Sequence, residues 1–280
     1  MKIDIICPLY NAEKYIENLD KSLKIQKKVE LNKIRYILTE SNDNTEEYLI
    51  NNEIEYCKIS KKEFSHSLSR EMEALKSTAD IIVFVTQDIV IEDEFWLYYL
   101  TKDIGKDKIA ATYSRQISKY YNIEKYTREK NYPEKSFVKS KDDINNLGLK
   151  TFFSSDASAA IKRDVFVELN GYDNKRLPIS EDMYFTYKLI MNNYKVKYCA
   201  DSIVYHSHNF KLKELYDRYK LTGMFFKENN YLDQYGTNSS GGELAKYILK
   251  RAIQDRNIKV LVRWPFDMAA RLFGMKVGKR

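Results

Sequence analysis

No stretch of this chain approaches the roughly 18 consecutive apolar residues that a membrane-crossing helix needs, so a spanning protein is excluded. The start, Met1-Lys2 followed by the strand-like Ile3-Asp4-Ile5-Ile6-Cys7, lacks an apolar leader segment, and no signal peptide is expected. Cysteine is scarce. Cys7, Cys57 and Cys199 are odd in number, far apart and set in apolar runs, which argues against disulfides or a cysteine metal cluster and for buried thiols in the cytoplasm. Acids are sparse in one region: residues 241–280 hold ten Lys and Arg against Glu243, Asp255 and Asp267, and so account for the whole net charge of +7. Histidine is as scarce as cysteine, with three in 280 residues.

Two of those three histidines fall in one short segment. Ser180-Glu181-Asp182 opens a helix-length stretch, after which a short apolar strand ends in Tyr205-His206-Ser207-His208-Asn209. On a strand His206 and His208 face one side, away from Tyr205 and Ser207. Two acids and two imidazoles so close together have the composition of a reaction centre. A third piece lies upstream, where the buried-looking strand Val83-Phe84-Val85 runs through Thr86-Gln87 into Asp88. In open α/β sheets ligands bind at such carboxyl ends.

Strand-like runs at residues 3–7, 34–38, 54–59 and 81–85 alternate with helical patterns at 12–28, 45–51 and 67–77, a βαβ rhythm that implies a parallel sheet. Asn11 precedes the first helix and Ser65 is placed to cap the third. Residues 119–150 are polar, rich in Tyr, Lys and Asn and without a sustained period, and read as a mobile insertion near the site. After Asn209 the pattern is helical, with a linker-like Gly, Asn and Ser run at residues 235–242. The chain length fits one α/β domain over 1–210, with halves at 1–115 and 116–210, and a helical region at 211–280.

Taken in order, Cys7-Pro8-Leu9-Tyr10-Asn11, Thr86-Gln87-Asp88, Ser180-Glu181-Asp182 and His206-Ser207-His208 resemble glycosyltransferase family 2, with its GT-A fold. The nearest likeness is to bacterial rhamnosyltransferases of cell-surface polysaccharides such as capsule or O-antigen. It extends to Phe64, His66 and Arg70, to Arg115-Gln116 and to the segment from Phe152 to Phe166, and covers roughly residues 1–225. The fold class implied is α/β, a mostly parallel mixed sheet flanked by helices.

Sugar transfer from a nucleotide sugar builds charge on a departing diphosphate, for which a divalent metal, Mn²⁺ or Mg²⁺, is the usual stabiliser. The resemblance makes Asp88 a metal ligand, and with Thr86 where relatives carry another acid, His206 or His208 would complete the site. Imidazole suits Mn²⁺ better than Mg²⁺. Inversion at the anomeric carbon needs a carboxylate to take the acceptor's proton, a role that the resemblance gives to Asp182 with Glu181 beside it. Both acids also suit a helix N-terminus. For the nucleotide, the resemblance points to Pro8, Tyr10, Asn11 and Gln87, with Glu40, or Thr39 one residue earlier, on the base. His66, Arg70 and Arg218 are expected at the diphosphate, Arg115 among the donor-binding residues, Asp156 at sugar hydroxyls and Tyr172 under the sugar ring.

The resulting expectation is an inverting transferase moving L-rhamnose from dTDP-L-rhamnose, or a sugar from another dTDP or UDP donor, to a growing or lipid-linked glycan. A silent sugar-nucleotide-binding scaffold is the alternative, favoured only by Thr86. A nucleotidyltransferase would be expected to carry a glycine-rich turn after strand one, and Cys7 to Asn11 has no glycine. In the basic tail, Leu261, Trp264, Met268 and Leu272 recur at helical spacing among Arg263, Arg271 and Lys276. That pattern suits a helix lying on an anionic membrane at the inner face of the plasma membrane, and equally a helix packed on its own domain. No nucleic-acid-binding module accompanies the charge.

Overall fold

The computed structural model describes the backbone of residues 1–280 and the side chains of all but residues 237–240. Eight strands form one sheet: β1 Lys2–Leu9, β2 Glu30–Thr39, β3 Tyr56–Ile59, β4 Ile81–Val85, β5 Ile109–Ile117, β6 Phe137–Lys139, β7 Ser158–Lys162 and β8 Lys195–Tyr205. The helices are α1 Glu13–Lys24, α2 Thr45–Asn51, α3 His66–Lys76, α4 Trp96–Thr101, α5 Ile123–Asn131, α6 Ile144–Leu147, α7 Arg163–Glu168, α8 Glu181–Met191, α9 Leu212–Glu228, α10 Thr237–Gln254 and α11 Ile258–Lys279.

The strand order is β3-β2-β1-β4-β7-β5-β8-β6. The chain runs outward from β1 through β2 to β3, then returns to lay β4 on the other side of β1, all four parallel. The carboxyl ends of β1 and β4 therefore flank a topological switch point, where a crevice for a ligand forms. β7 pairs antiparallel with both β4 and β5, and β5 pairs parallel with β8, so the sheet is mixed but mostly parallel. Alternation along β4 builds both core layers: Ile82 and Phe84 enter one, Ile81, Val83 and Val85 the other.

The first helix, expected to reach residue 28, stops at Lys24. Lys27 N–H donates to the Glu94 carbonyl at 2.7 Å, and Lys28 takes a left-handed φ of 58°.

The insertion at 119–150 is built from regular elements instead of a mobile loop. Helix α5 buries Ile123 and Tyr126 against Ile248 and Ala252 of α10 and Val260 of α11, while β6 pairs antiparallel with β8. Its charges find distant partners, Lys125 with Asp255 at 2.7 Å and Glu129 with Arg251 at 3.2 Å. The linker expected over 235–242 is likewise replaced: Gly236, with φ 85°, ends the 3-10 turn Asn230–Tyr235, and α10 begins at Thr237. The side chains of residues 237–240 in that run lie outside the described residues.

Phe225, Phe226 and Leu232, in and just after α9, are buried in the main core cluster, so packing is continuous across residue 210. Helices α9 and α11 approach backbone to backbone. A Cβ at Gly278 would run into the Lys220 carbonyl, and one at Gly274 into the Tyr216 carbonyl.

Candidate active site

Two backbone features bring Asp88 to the late histidines. The residues after β4 are tied to the end of β8 by reciprocal bonds between Val90 and Tyr205, each 2.9 Å, and His206 N–H donates to the Ile117 carbonyl at 3.0 Å. The register of β5 on β8 shifts between Ser114 and Arg115, so that Arg115 meets Ile203 and Ile117 meets Tyr205. Asp88, His206 and His208 then offer ligand atoms that all lie within 4.8 Å of one another. His206 Nε2 is 3.5 Å from Asp88 Oδ1, and His208 Nδ1 is 3.7 Å from Asp88 Oδ2.

The surroundings orient these donors for a cation. Gln116 Oε1 sits 2.9 Å from His206 Nδ1; with the proton on Nδ1, the Nε2 lone pair faces Asp88. Burial would raise the Asp88 carboxyl, but the two imidazoles in their protonated forms hold it well below the usual range, His206 by hydrogen bond and charge and His208 by charge. His208 is pushed down to about 4, first by burial and then by the charge of His206, so it is neutral and free to ligate at neutral pH. One carboxylate and two imidazoles fit a divalent cation that accepts nitrogen, Mn²⁺ better than Mg²⁺.

A second cluster lies at the start of α8. Arg70 is buried and donates to Glu181 Oε1 at 3.0 Å and to the His66 carbonyl at 2.9 Å. It serves as an internal counter-ion, and the expected grip on a diphosphate is corrected: its guanidinium is enclosed by the fold. Tyr172 is also fully buried, among Phe84, Phe166 and Phe185, with its hydroxyl on Asp156 Oδ2 at 2.6 Å. It presents no face to a sugar. Asp156, 4 % exposed, is likewise engaged inside, and burial pushes it up to about 6.

Asp182 is half-buried and takes the Met183 N–H at 2.7 Å. Burial, then the negative charges of Glu181 and Asp156, raise it well above the ordinary carboxylate range, which makes it a stronger base than a free aspartate. Ser180, just before it, holds a left-handed φ of 64°, a strained turn at the site.

At the switch point Tyr10 is exposed. Gln87 is spent on the backbone, its Oε1 accepting from Tyr10 N–H at 2.7 Å and its Nε2 donating to the Tyr10 carbonyl at 2.9 Å. Asn11, expected to cap α1, has φ 47° and instead accepts from Asn42 N–H at 3.0 Å, so that Ala12 takes the cap position. Pro8 lies within β1 opposite Ile37. Glu40 is exposed and accepts from Lys61 N–H at 3.4 Å, with the Lys61 ammonium over the Tyr10 ring at 5.4 Å. Thr39 Oγ1 beside it is buried and has no hydrogen-bond partner among the described residues. His66 is exposed and edge-on to Phe64, and the charge of exposed Arg218, over the Phe210 ring at 5.7 Å, is felt at both His66 and His208. Arg115 turns away toward Glu134 at 3.5 Å.

Gln116, rather than its neighbour Arg115, is the residue of that pair that meets the site. Gln116 is 1 % exposed and joins the two clusters: it contacts His206, takes a hydrogen bond from Arg128 and donates to Ser155 Oγ at 2.8 Å. The next residue along, Ser154, donates from Oγ to the Asp182 carbonyl at 3.2 Å. The available signal for Gln116 was its place at the carboxyl end of β5, one residue before the strand stops.

The fold with this carboxylate-imidazole cluster is that of a glycosyltransferase, as the family comparison shows. The chain belongs to glycosyl transferase family 2, whose model matches residues 4–169. It is similar to the O-antigen chain rhamnosyltransferase RfbN of Salmonella typhimurium, 35% identical over 290 residues that cover 100% of this chain and 90% of that protein. It is also similar to the O-antigen chain rhamnosyltransferase WbaN of Salmonella anatum, 34% identical over 232 residues, or 79% of this chain and 71% of that protein. In fold it matches the mannosyltransferase PcManGT from Pyrobaculum calidifontis, solved with GDP-Man and Mn²⁺, with a TM-score of 0.64 and 15% identity over 99% of this chain and 86% of that one.

Proposed function

We propose that this glycosyltransferase moves L-rhamnose from dTDP-L-rhamnose, with inversion, onto a lipid-linked or growing surface glycan of the O-antigen kind. The observation that carries the reaction is the cluster of Asp88, His206 and His208, linked through Gln116 and the Ser154-Ser155 pair to the backbone of Asp182. The names of the two curated relatives support the sugar and the acceptor class.

In this reading the acceptor hydroxyl attacks the anomeric carbon as its bond to the diphosphate oxygen breaks. Asp182 takes the hydroxyl proton, and the electron pair leaves with dTDP. Asp88, His206 and His208 would hold a divalent cation, which would supply charge neutralisation at the departing diphosphate. Arg218 adds a cation on the same side, while Arg70, 3.0 Å from Glu181 Oε1, fixes that acid beside the base. Incubation with dTDP-L-rhamnose or UDP-sugars, Mn²⁺ and a membrane glycolipid fraction tests this. Release of dTDP, abolished by chelator, is expected; turnover of a UDP-sugar alone would overturn the donor, and no release from any donor would leave the scaffold reading.

Attachment at the inner face of the membrane belongs to the same proposal, through a different face of α11 from the one expected. Leu261, Trp264 and Met268 turn inward onto α10, Trp264 Nε1 donating to the Ala245 carbonyl at 3.1 Å. Arg263 pairs with Asp267, and Arg271 with Glu124. Leu272 remains outside with Ile258, Val262, Phe266, Phe273 and Val277, all exposed. At 100° per residue these six fill an arc of roughly 140°, shared with exposed Lys259, Lys276 and Arg280 and with no acid among the described residues. Co-sedimentation with phosphatidylglycerol vesicles, lost on Phe266→Ser with Phe273→Ser, is expected. Equal sedimentation of the variant would refute it.

A further inference from the structure

Gln116 lies between Ser155 and His206, and those two neighbours alone would accept its amide either way round. Its Oε1 is 2.9 Å from His206 Nδ1, and its Nε2 is 2.8 Å from Ser155 Oγ. A hydroxyl can donate or accept, and so can the Nδ1 of a neutral imidazole, according to its tautomer. Turned over, the amide would donate from Nε2 to His206 Nδ1 and accept from the Ser155 hydroxyl. The imidazole proton would then sit on Nε2, facing Asp88 Oδ1 3.5 Å away, where a cation would have to be. Every one of these groups would be satisfied, and a metal would be shut out.

Arg128 of α5 breaks the tie. Its Nη1 donates to Gln116 Oε1, and because a guanidinium has donors only, the atom it meets has to be the amide oxygen. The same oxygen faces His206, so Nδ1 must donate and Nε2 keeps its lone pair toward Asp88. Gln116 is buried, which leaves the choice to its protein neighbours. Arg128 is itself seated from the C-terminal helix. Its Nη2 lies 3.6 Å from Glu124 Oε2, one turn back along α5, and Arg271 of α11 meets the other oxygen, Oε1, at 3.5 Å. Glu124 and Arg271 are both buried.

We infer that Arg128 is a positioning residue for metal ligation: it selects the His206 tautomer whose Nε2 is open to a cation, and α11 seats it through Arg271 and Glu124. Helices α5 and α11 thereby belong to the site although neither supplies a ligand. The inference rests on the reading of Asp88, His206 and His208 as the cation's ligands and adds the groups that set the orientation of one of them.

The test uses the full chain. Imidazole ¹⁵N shifts, recorded at pH 8 without metal, report which ring nitrogens carry a proton, the His206 signals being those lost in His206→Gln. The parent protein is expected to hold a proton on His206 Nδ1. Arg128→Met should lose it there and carry it on Nε2, while Arg128→Lys, which keeps a group with donors only, should retain the parent pattern. In Arg128→Met the Glu124 carboxylate still has Arg271, so no buried acid is left alone. By calorimetry Mn²⁺ affinity should fall about 10–100-fold in Arg128→Met and be largely kept in Arg128→Lys. Arg271→Gln should lower it less, and should add nothing in the Arg128→Met background. Parent-like Mn²⁺ binding by Arg128→Met, with the proton still on Nδ1, overturns the inference and leaves the metal reading standing. Weaker Mn²⁺ binding with the proton still on Nδ1 overturns it too, since that is lost packing without a change of tautomer. Equal losses from Arg271→Gln in both backgrounds overturn the part given to α11. A parent chain that binds no Mn²⁺ overturns the metal reading, and the inference with it.

Discussion

Lys139 offers a prediction whose size follows from the structure. This side chain is 1 % exposed, donates to the Phe153 carbonyl and lies 4.9 Å from the Tyr113 ring centroid, with no carboxylate in ion-pair contact among the described residues. Burial pushes its ammonium from 10.5 down to about 7. The unfolded chain therefore binds the proton more strongly, and stability rises with pH from about 7 to 10.5 and is lost again as pH falls. At 1.36 kcal/mol per pH unit the whole effect is about 5 kcal/mol. Replacing Lys139 by Met keeps the volume, removes the charge and leaves the Phe153 carbonyl unpaired, which costs about 1–3 kcal/mol at any pH. Lys139→Met should thus be the more stable protein at pH 6, by about 2–4 kcal/mol, and its advantage should narrow by about 2 kcal/mol between pH 7 and pH 9. Urea unfolding at several pH values measures both. Stability curves that run parallel with pH would show that the lysine is not buried as an unpaired cation.

Two further outcomes are expected. Gln116→Leu removes the group that orients His206 and should weaken Mn²⁺ binding, followed by calorimetry, about 10–100-fold; unchanged affinity would mean that Gln116 does not set the imidazole. Gly278→Ala forces a Cβ against the Lys220 carbonyl at the contact of α9 and α11, and should lower stability by about 1–3 kcal/mol in thermal or urea unfolding. An unaffected variant would contradict that close packing.

The first half of the sheet was legible because each of its strands is apolar, short and followed by a helix with its own period, and because ligand residues sit at predictable strand ends. Asp88, His206 and His208 could be paired from sequence for that reason. The region at 119–150 could not be read. It is held by contacts distant along the chain, the burial of Ile123 and Tyr126 against α10 and α11 and ion pairs such as Lys125 with Asp255, which leave no local periodicity. Arg70 and Tyr172 looked like ligand contacts because arginine and tyrosine often are; only packing shows that one neutralises Glu181 and the other supports Asp156. Helix α11 is apolar on two faces, so a hydrophobic stripe alone could not choose the inward one. Gly274 and Gly278, four residues apart, mark the side that α9 approaches.

The proton-accepting role of Asp182 is tested most directly by Asp182→Asn, which keeps the side chain's shape and removes its basicity. Turnover of dTDP-L-rhamnose should fall by about a hundredfold to ten-thousandfold while donor affinity, titrated in the same preparation, stays as it was. A variant that still transfers sugar at a rate near that of the parent protein would place the base elsewhere.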